Sequence, residues 1–250
     1  MAQALRPTLA DLHIHTALSP CGSEEMTPLA IVEAALDVGL EMIAICDHNT
    51  ARNVAAVQEA AEDRLVVLAG MEVTSVEEVH VVGLFPDAAS AEAASNEVRA
   101  LLPAADKEYY AFFGEQPVLC ADGTEIDGET ASLAVATTLD LNDTVGLIKR
   151  HGGLAVAAHI DRRAFGVLSQ LGWFPEDAGF DGVEVSRHMA SDAPRMAEFR
   201  GFGLPITGSS DSHYLHEIGA AMTVLTLKEP TFAEVVLAFA NAEGRRVNRA

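Results

Sequence analysis

Cysteine is scarce in this chain. Only Cys21, Cys46 and Cys120 occur among 250 residues, with neither a CxxC pair nor the even set of a secreted disulfide scaffold. A reducing, cytoplasmic setting without disulfides is the expectation. Lysine is nearly absent too, at Lys107, Lys149 and Lys228 alone, and no basic run marks a nucleic-acid patch. Acidic residues outnumber basic ones 37 to 16, and the formal net charge of −21 repels a polyanion at long range. Extended nucleic acid is therefore a disfavoured partner, and any anion bound here must be held locally. No uninterrupted apolar run is long enough to cross a membrane, and the first residues lack the apolar stretch of a signal peptide. Trp173 is the lone tryptophan and reads as packing.

With 49% apolar residues, the chain can bury the core of one large α/β domain over residues 1–250. Strand patterns at 8–15, 42–46, 65–69, 79–85, 154–160, 182–186, 205–209 and 221–227 alternate with helical ones. Thr27-Pro28 opens the first helix, and Thr231 and Glu234 have capping-box spacing. Such alternation predicts a parallel sheet, because parallel strands need crossover connections. An open doubly wound sheet is the alternative. A closed or nearly closed barrel fits better, since candidate ligands fall at the C-terminal ends of many strands and not at one switch point. Residues 87–140 break the rhythm with a helix pattern, the aromatic patch Tyr109 to Phe113 and a hairpin turning at Asp122-Gly123. They read as an insertion near the mouth of the pocket, or as a plain surface excursion.

Two distant segments hold metal-ligand types two residues apart: Asp11-Leu-His13-Ile-His15 and Asp211-Ser-His213. In an extended strand, residues i and i+2 face the same side. A lone HxH is as consistent with hydrogen-bonded polar residues as with a metal site. The case strengthens with Asp47-His48 after the second strand, Glu72 after the third, His80 at the fourth and His159 after Val156-Ala-Ala.

The ordered set HIH at 13–15, DH at 47–48, GMEV around Glu72, VHVVGLF with His80, AAHIDR with His159 and SSDSH at 209–213 resembles the polymerase and histidinol phosphatase (PHP) family. The resemblance spans nearly the whole chain. It implies a distorted seven-stranded β/α barrel and a metal-dependent phosphoesterase. It also implies two to three divalent Zn, Mn or Fe ions: one on His13, His15, Glu72 and Asp211, a second bridged by Glu72 and held by His80 and His159, and a third near His48 and His213. Many members follow HxH with Ser-x-x-Ser-Asp-Gly, whereas here Pro20 takes the place of that Asp. Cys21 falls where some members supply a histidine to the third ion, so it is either a thiolate ligand or a small packed residue. Asn49 follows Asp47-His48 where some members carry another acid.

Asp47 is a candidate catalytic residue, either orienting His48 or touching a metal-bound water. Arg162 and Arg187, near strand ends, are catalytic and substrate-binding candidates because the guanidinium forks onto phosphate oxygens. Arg163 reads as a surface residue and His151 as a helix C-terminal cap, while His188 and His216 lie close enough in sequence to the site to be minor candidates for an acid or for a hydrogen bond behind the ligands. The reading is hydrolysis of a small phosphomonoester or cyclic phosphodiester, of a sugar phosphate or nucleotide, by a metal-bound hydroxide, with a small phosphorylated metabolite as partner. The alternatives are an oligonucleotide exonuclease of the same family, an amidohydrolase-type hydrolase, or a catalytically idle metal-binding domain. None of the three lysines lies where an amidohydrolase would place a bridging one.

Overall fold

The computed structural model describes residues 4–189 and 194–249. The chain enters through β1 (Arg6–Ile14) and alternates through α1 (Pro28–Asp37), β2 (Met42–Ile45), α2 (Val54–Ala61) and β3 (Val66–Thr74). It turns directly into β4 (His80–Phe85), followed by α3 (Ala88–Arg99), α4 (Lys107–Phe113) and the short strands β5 (Pro117–Leu119) and β6 (Glu125–Gly128). The alternation resumes with α5 (Leu141–Arg150), β7 (Leu154–Ala157), α6 (Val167–Leu171), β8 (Gly182–Val185), α7 (Arg195–Gly201) and β9 (Ile206–Gly208). It closes with β10 (Thr223–Leu227), α8 (Phe232–Phe239) and β11 (Arg246–Arg249).

Nine strands share one sheet in the order β11-β10-β1-β2-β3-β4-β7-β8-β9. Its edges approach each other: β9 meets β11, a bridge joins Ile14 to Ser212, and His15 N–H donates to the Ser212 carbonyl at 3.0 Å. The result is the distorted, nearly closed barrel expected from the sequence, widened by two strands. The sheet is not wholly parallel. β10 runs antiparallel to both β1 and β11, and β4 runs antiparallel to both β3 and β7. The tight turn between β3 and β4 leaves no room for a crossover helix, which forces the reversal. His80 therefore begins its strand instead of ending it, yet it pairs with Thr74 at the same rim where the parallel strands end.

Side-chain parity fills the lumen. Met42, Ala44, Leu68, Val82, Leu84 and Val156 form its apolar floor with Phe239 of α8, while Ile43, Ile45, Val67, Val81 and Phe85 face outward into the layer that meets the helices. Each of the larger of these side chains, fully buried, contributes about 1.5–3 kcal/mol. β1 changes parity midway, because its register against β2 shifts between Asp11 and Ile14. Ala10 and Leu12 join the floor below the shift, whereas above it His13 and His15 turn into the lumen and Ile14 turns out. A β-bulge re-aims side chains in this way.

Residues 88–99, expected to begin the insertion, pack as α3 against β3 and β4 like the other barrel helices. The excursion proper starts after it. There β5 and β6 pair across the Asp122-Gly123 turn, with Gly123 at φ +86°. Among the helix starts, Asp87, Asp106, Asp140 and Thr231 each accept a backbone N–H, but the side chain of Thr27 makes no such bond.

Gly70 continues β3 through a crowded point. A Cβ there would lie 2.6 Å from Cys46 Sγ and 2.7 Å from the Ile45 carbonyl oxygen, which belongs to the neighbouring strand's backbone and cannot swing aside. Gly70→Ala should therefore destabilise the protein by about 1–3 kcal/mol, the usual cost of overpacking. A lower urea midpoint with an unchanged slope is expected, and an unaltered midpoint would refute the close approach.

Candidate metal centre

Glu72 projects from β3 into the lumen and is fully buried. Five imidazoles surround its carboxylate. His48 Nδ1 lies 2.9 Å from Oε2, His80 Nδ1 and His159 Nε2 lie 2.9 and 3.1 Å from Oε1, and Nε2 of His13 and of His15 each approach to 3.5 Å. Asp211 Oδ1 is 3.1 Å from His15 Nε2 and 3.5 Å from His13 Nε2. Three sets of donor atoms each gather within 4.8 Å: His13, His15, Glu72 and Asp211; His48, Glu72 and His80; and His15, His48 and His213.

Some of these atoms pair, His159 Nε2 with Glu72 Oε1 and His15 Nε2 with Asp211 Oδ1, each at 3.1 Å, but others do not. Glu72 Oε2, His80 Nδ1 and His159 Nδ1 are buried with no hydrogen-bond partner, although His48 and His80 each present Nδ1 to the carboxylate at 2.9 Å. Burial alone would raise Glu72, yet the rings of His80, His13 and His48 hold it well below the usual carboxylate range. Burial likewise opposes protonation of His13, but Glu184, Glu72 and Asp211 keep it well above the ordinary imidazole value. His80 goes the other way, pushed down to about 4 by burial. Carboxylates and imidazoles converging at such distances form a donor set suited to divalent transition metals, and the residues present fit such ions.

A layer of orienting bonds stands behind the donors. His13 Nδ1 donates to Glu184, 3.1 and 3.2 Å from its two oxygens. His15 Nδ1 donates to Ser19 Oγ at 2.8 Å, and Ser19 passes its own proton to Asp47 Oδ1 at 2.7 Å. His213 Nδ1 donates to the Asp211 carbonyl at 3.0 Å. In each case the bond fixes the tautomer that leaves Nε2 free for the site. Asp47 is saturated by Ser19 and by the N–H and hydroxyl of Thr16, each at 2.7 Å, so this candidate catalytic residue sits behind His15 and acts through Ser19. Asp11, the first residue of the leading motif, lies outside the donor sets and accepts N–H bonds from Ser210 and Gly219, anchoring the loop that carries Asp211.

Sequence reasoning passed over Glu184 and Ser19. The signal for Glu184 was one acid inside the otherwise apolar, entirely buried Gly182–Val185 strand. Asn49 also turns out to be a brace: its Nδ2 donates to the carbonyls of Leu133 and Val135 at 2.9 and 3.0 Å, and its Oδ1 accepts Thr74 N–H at 2.9 Å. A carboxylate could not make those two donations. Asn49, His159, Phe165 and Asp211 all have positive φ, between 29° and 59°, so backbone strain gathers at the rim.

Cys21, Arg162, Arg187, Asp211, His213 and Tyr214 line a cavity of about 260 Å³ beside the donors. Arg162 Nη1 pairs with Asp211 Oδ2 at 2.5 Å, and Arg187 Nη2 with Glu217 Oε1 at 2.6 Å, so a carboxylate partly neutralises each guanidinium. Hydrogen bonds with His213 and His48 outweigh burial at Cys21 and bring its thiol down to about 6. His151 ends α5 and pairs with Glu97, while Arg163, His188, His216 and Trp173 are exposed.

A family model described as PHP domain matches residues 11–150, and one described as PHP-associated matches 197–243. The chain belongs to the PHP family. Its donor cluster could hold the divalent ions of a metal-dependent hydrolase. No curated protein sequence matches it. Among solved structures it is similar to the lesion-specific endonuclease PfuEndoQ from Pyrococcus furiosus, with 18% identity, a TM-score of 0.70 and coverage of 97% of this chain but 58% of that one. This PHP chain thus spans little more than half the length of that endonuclease. It is also similar to a candidate metal-dependent phosphoesterase from Bifidobacterium adolescentis, with 24% identity, a TM-score of 0.58 and coverage of 82% and 87%. A third likeness is to an amidohydrolase from Chromobacterium violaceum, with 21% identity, a TM-score of 0.64 and coverage of 96% and 97%. At these identities the likeness is one of fold.

One expectation is corrected. A complex of endonuclease Q, similar to this chain with a TM-score of 0.67 and 17% identity, holds a 27-mer duplex with an abasic lesion at its active site. Net charge therefore does not exclude extended nucleic acid from this PHP fold, and the restriction of the partner to a small metabolite falls with it. The charge of −21 is a property of the whole chain, and salt screens its long-range effect beyond roughly 8–10 Å, so it does not decide what is held at contact distance.

Among the described residues no helix is long and apolar enough to cross a membrane. For the donor cluster the pH dependence has a definite sign. Glu184 and Glu72 raise His13, and Glu72 raises His48, against the effect of burial in both, so both rings carry protons near neutrality that an arriving cation must displace. Metal affinity should rise with pH, about tenfold per unit for each proton released, for as long as the pH stays below the raised values of these rings. Calorimetric titration in two buffers of different ionisation enthalpy counts those protons; affinity independent of pH would contradict the assignment.

Proposed function

We propose that the chain hydrolyses a phosphodiester of a nucleic-acid strand with the help of ions held at the Glu72 cluster. The observation that carries this reading is that Glu72 belongs to two donor sets at once, the arrangement a paired-cation phosphoesterase requires. In this reading His13, His15, Glu72 and Asp211 hold one ion, and Glu72, His80 and His159 a second with His48 beside them. A third sits on His48, His213 and Cys21, the set being Zn, Mn or Fe. Bound there, the ions would supply Lewis acidity, activating a water and neutralising charge on the phosphoryl oxygens. The protein's own part is orientation: Glu184 and Ser19 hold His13 and His15 in one tautomer, and Arg162 and Arg187 receive the phosphate from the cavity wall. Tyr214, half-exposed beside them, offers a face to a base. Of residues 87–140, those that follow α3 act as a wall at the mouth of a single domain spanning 1–250, and the unpaired thiols suit a cytoplasmic enzyme.

Single-stranded oligonucleotides compared with phosphate monoesters at matched ionic strength test the substrate class. Higher kcat/KM on the oligonucleotides is expected, with Arg162→Ala lowering it roughly 10- to 100-fold through lost positioning. Hydrolysis confined to monoesters would overturn the reading. The assignment of Cys21 has its own test, because a thiolate bound to Co(II) adds a near-ultraviolet charge-transfer band. Cobalt loading should produce that band in the parent protein and not in Cys21→Ser; its persistence in the variant would return Cys21 to a packing role.

A further inference from the structure

A second cavity, of about 240 Å³, lies against the donors and is lined by neither Arg162 nor Arg187. Its walls are apolar: Pro20, Phe113, Leu133 and Ala134 on one side and Phe165 on the other, with His48 and His80 at its base. Apart from those two rings and Cys21 it offers no ionisable group, so it suits a neutral flat ring and rejects a phosphate. The arginine-lined cavity has the opposite character. The two share Cys21, which places a site for a ring next to a site for an anion, each bordered by members of one donor cluster.

Both walls are built in advance. Asn49 holds the carbonyls of Leu133 and Val135, and Tyr109 Oη accepts Ala134 N–H at 3.0 Å. Opposite, the Phe165 ring stacks on His80 with centroids 4.3 Å apart and planes 15° apart, and the Phe165 carbonyl accepts His80 N–H at 2.9 Å. Phe165 is held at φ +59°, a strained conformation for a bulky side chain, and is still 39% exposed. A large apolar residue strained into place beside a metal donor, yet left open to the cavity, is a platform waiting for a partner.

Resting on the phosphodiester reading above, we infer that this slot takes the unpaired base of the nucleotide under attack, with Phe165 as its stacking platform. Stacking on Phe165 needs a base with a free face, which a base inside a duplex does not have. The preferred substrate is therefore a single-stranded or locally opened strand.

The test uses two single-stranded oligonucleotides that differ only by one abasic nucleotide, with cleavage of the bonds flanking that position measured for each. Stacking on one aromatic side chain corresponds to roughly 10- to 100-fold, so the intact strand should exceed the abasic one by that ratio in kcat/KM. The ratio should collapse toward one both in Phe165→Ala, which removes the platform, and in Ala134→Phe, which fills the slot from the opposite wall. Should one variant fail to fold, the other still decides. A parent ratio near one, or a ratio that both variants preserve, overturns the inference while leaving phosphodiester hydrolysis standing. Cleavage of neither strand would remove the phosphodiester reading itself, and this inference with it.

Discussion

A carboxylate buried at the centre of a barrel is the constraint from which the site follows. Removing an isolated carboxylate from water costs several kcal/mol even after relaxation, and Glu72 is fully buried. It is tolerated because five imidazoles converge on it, and those imidazoles are tolerated because Glu72, Asp211 and Glu184 face them. Each local irregularity serves that convergence. The bulge in β1 turns His13 and His15 inward together, the reversed β4 carries His80 to the rim, and positive φ angles set His159 and Asp211 in place. Regular strands alone would leave at least one donor facing the helices.

The donors were legible in the sequence because each lies in a short motif beside an apolar strand, where burial of an ionisable group needs a reason. Glu184 lies in such a strand as well but has no second ligand type near it, so only the contact with His13 reveals its part. The hydroxyl chain from His15 through Ser19 to Asp47 joins residues up to 32 positions apart, and local spacing carries no trace of it. Asn49 was legible only as a departure from an acid; that its amide is a double donor depends on where residues 133–135 fold back. The reversal of β4 was in principle readable, since too few residues separate it from β3 for a crossover, but the apolar pattern does not encode direction. β11 carries three polar residues in its four, Arg246, Asn248 and Arg249, and offered no strand pattern to find.

Charge shows how a sound principle can be applied at the wrong scale. The excess of acids governs what the molecule meets at a distance, and there it does weaken attraction to a polyanion. At contact distance the balance is set by a few groups. Glu217 and Asp211 already engage the two guanidiniums at the rim, so any anion that bound there would exchange one anionic partner for another instead of finding bare cations. Such an exchange favours a ligand that also brings something the carboxylates lack, and an aromatic ring beside an apolar slot is of that kind.

Asn49 joins the metal-facing loop to the outer wall more directly than the fold requires. It follows His48 in the chain, and its three side-chain bonds reach Thr74 at the end of β3 and the backbone at 133 and 135. Displacement of the wall would therefore be felt at His48, one peptide away, before it reached the barrel. The reverse also holds, because a ligand that draws His48 toward Glu72 pulls on the same amide. Substrate shape and donor geometry are thus coupled through one neutral side chain. An acid at that position could serve as another ligand but could not hold the wall, so the chain has exchanged a charge at the site for a fixed boundary around it.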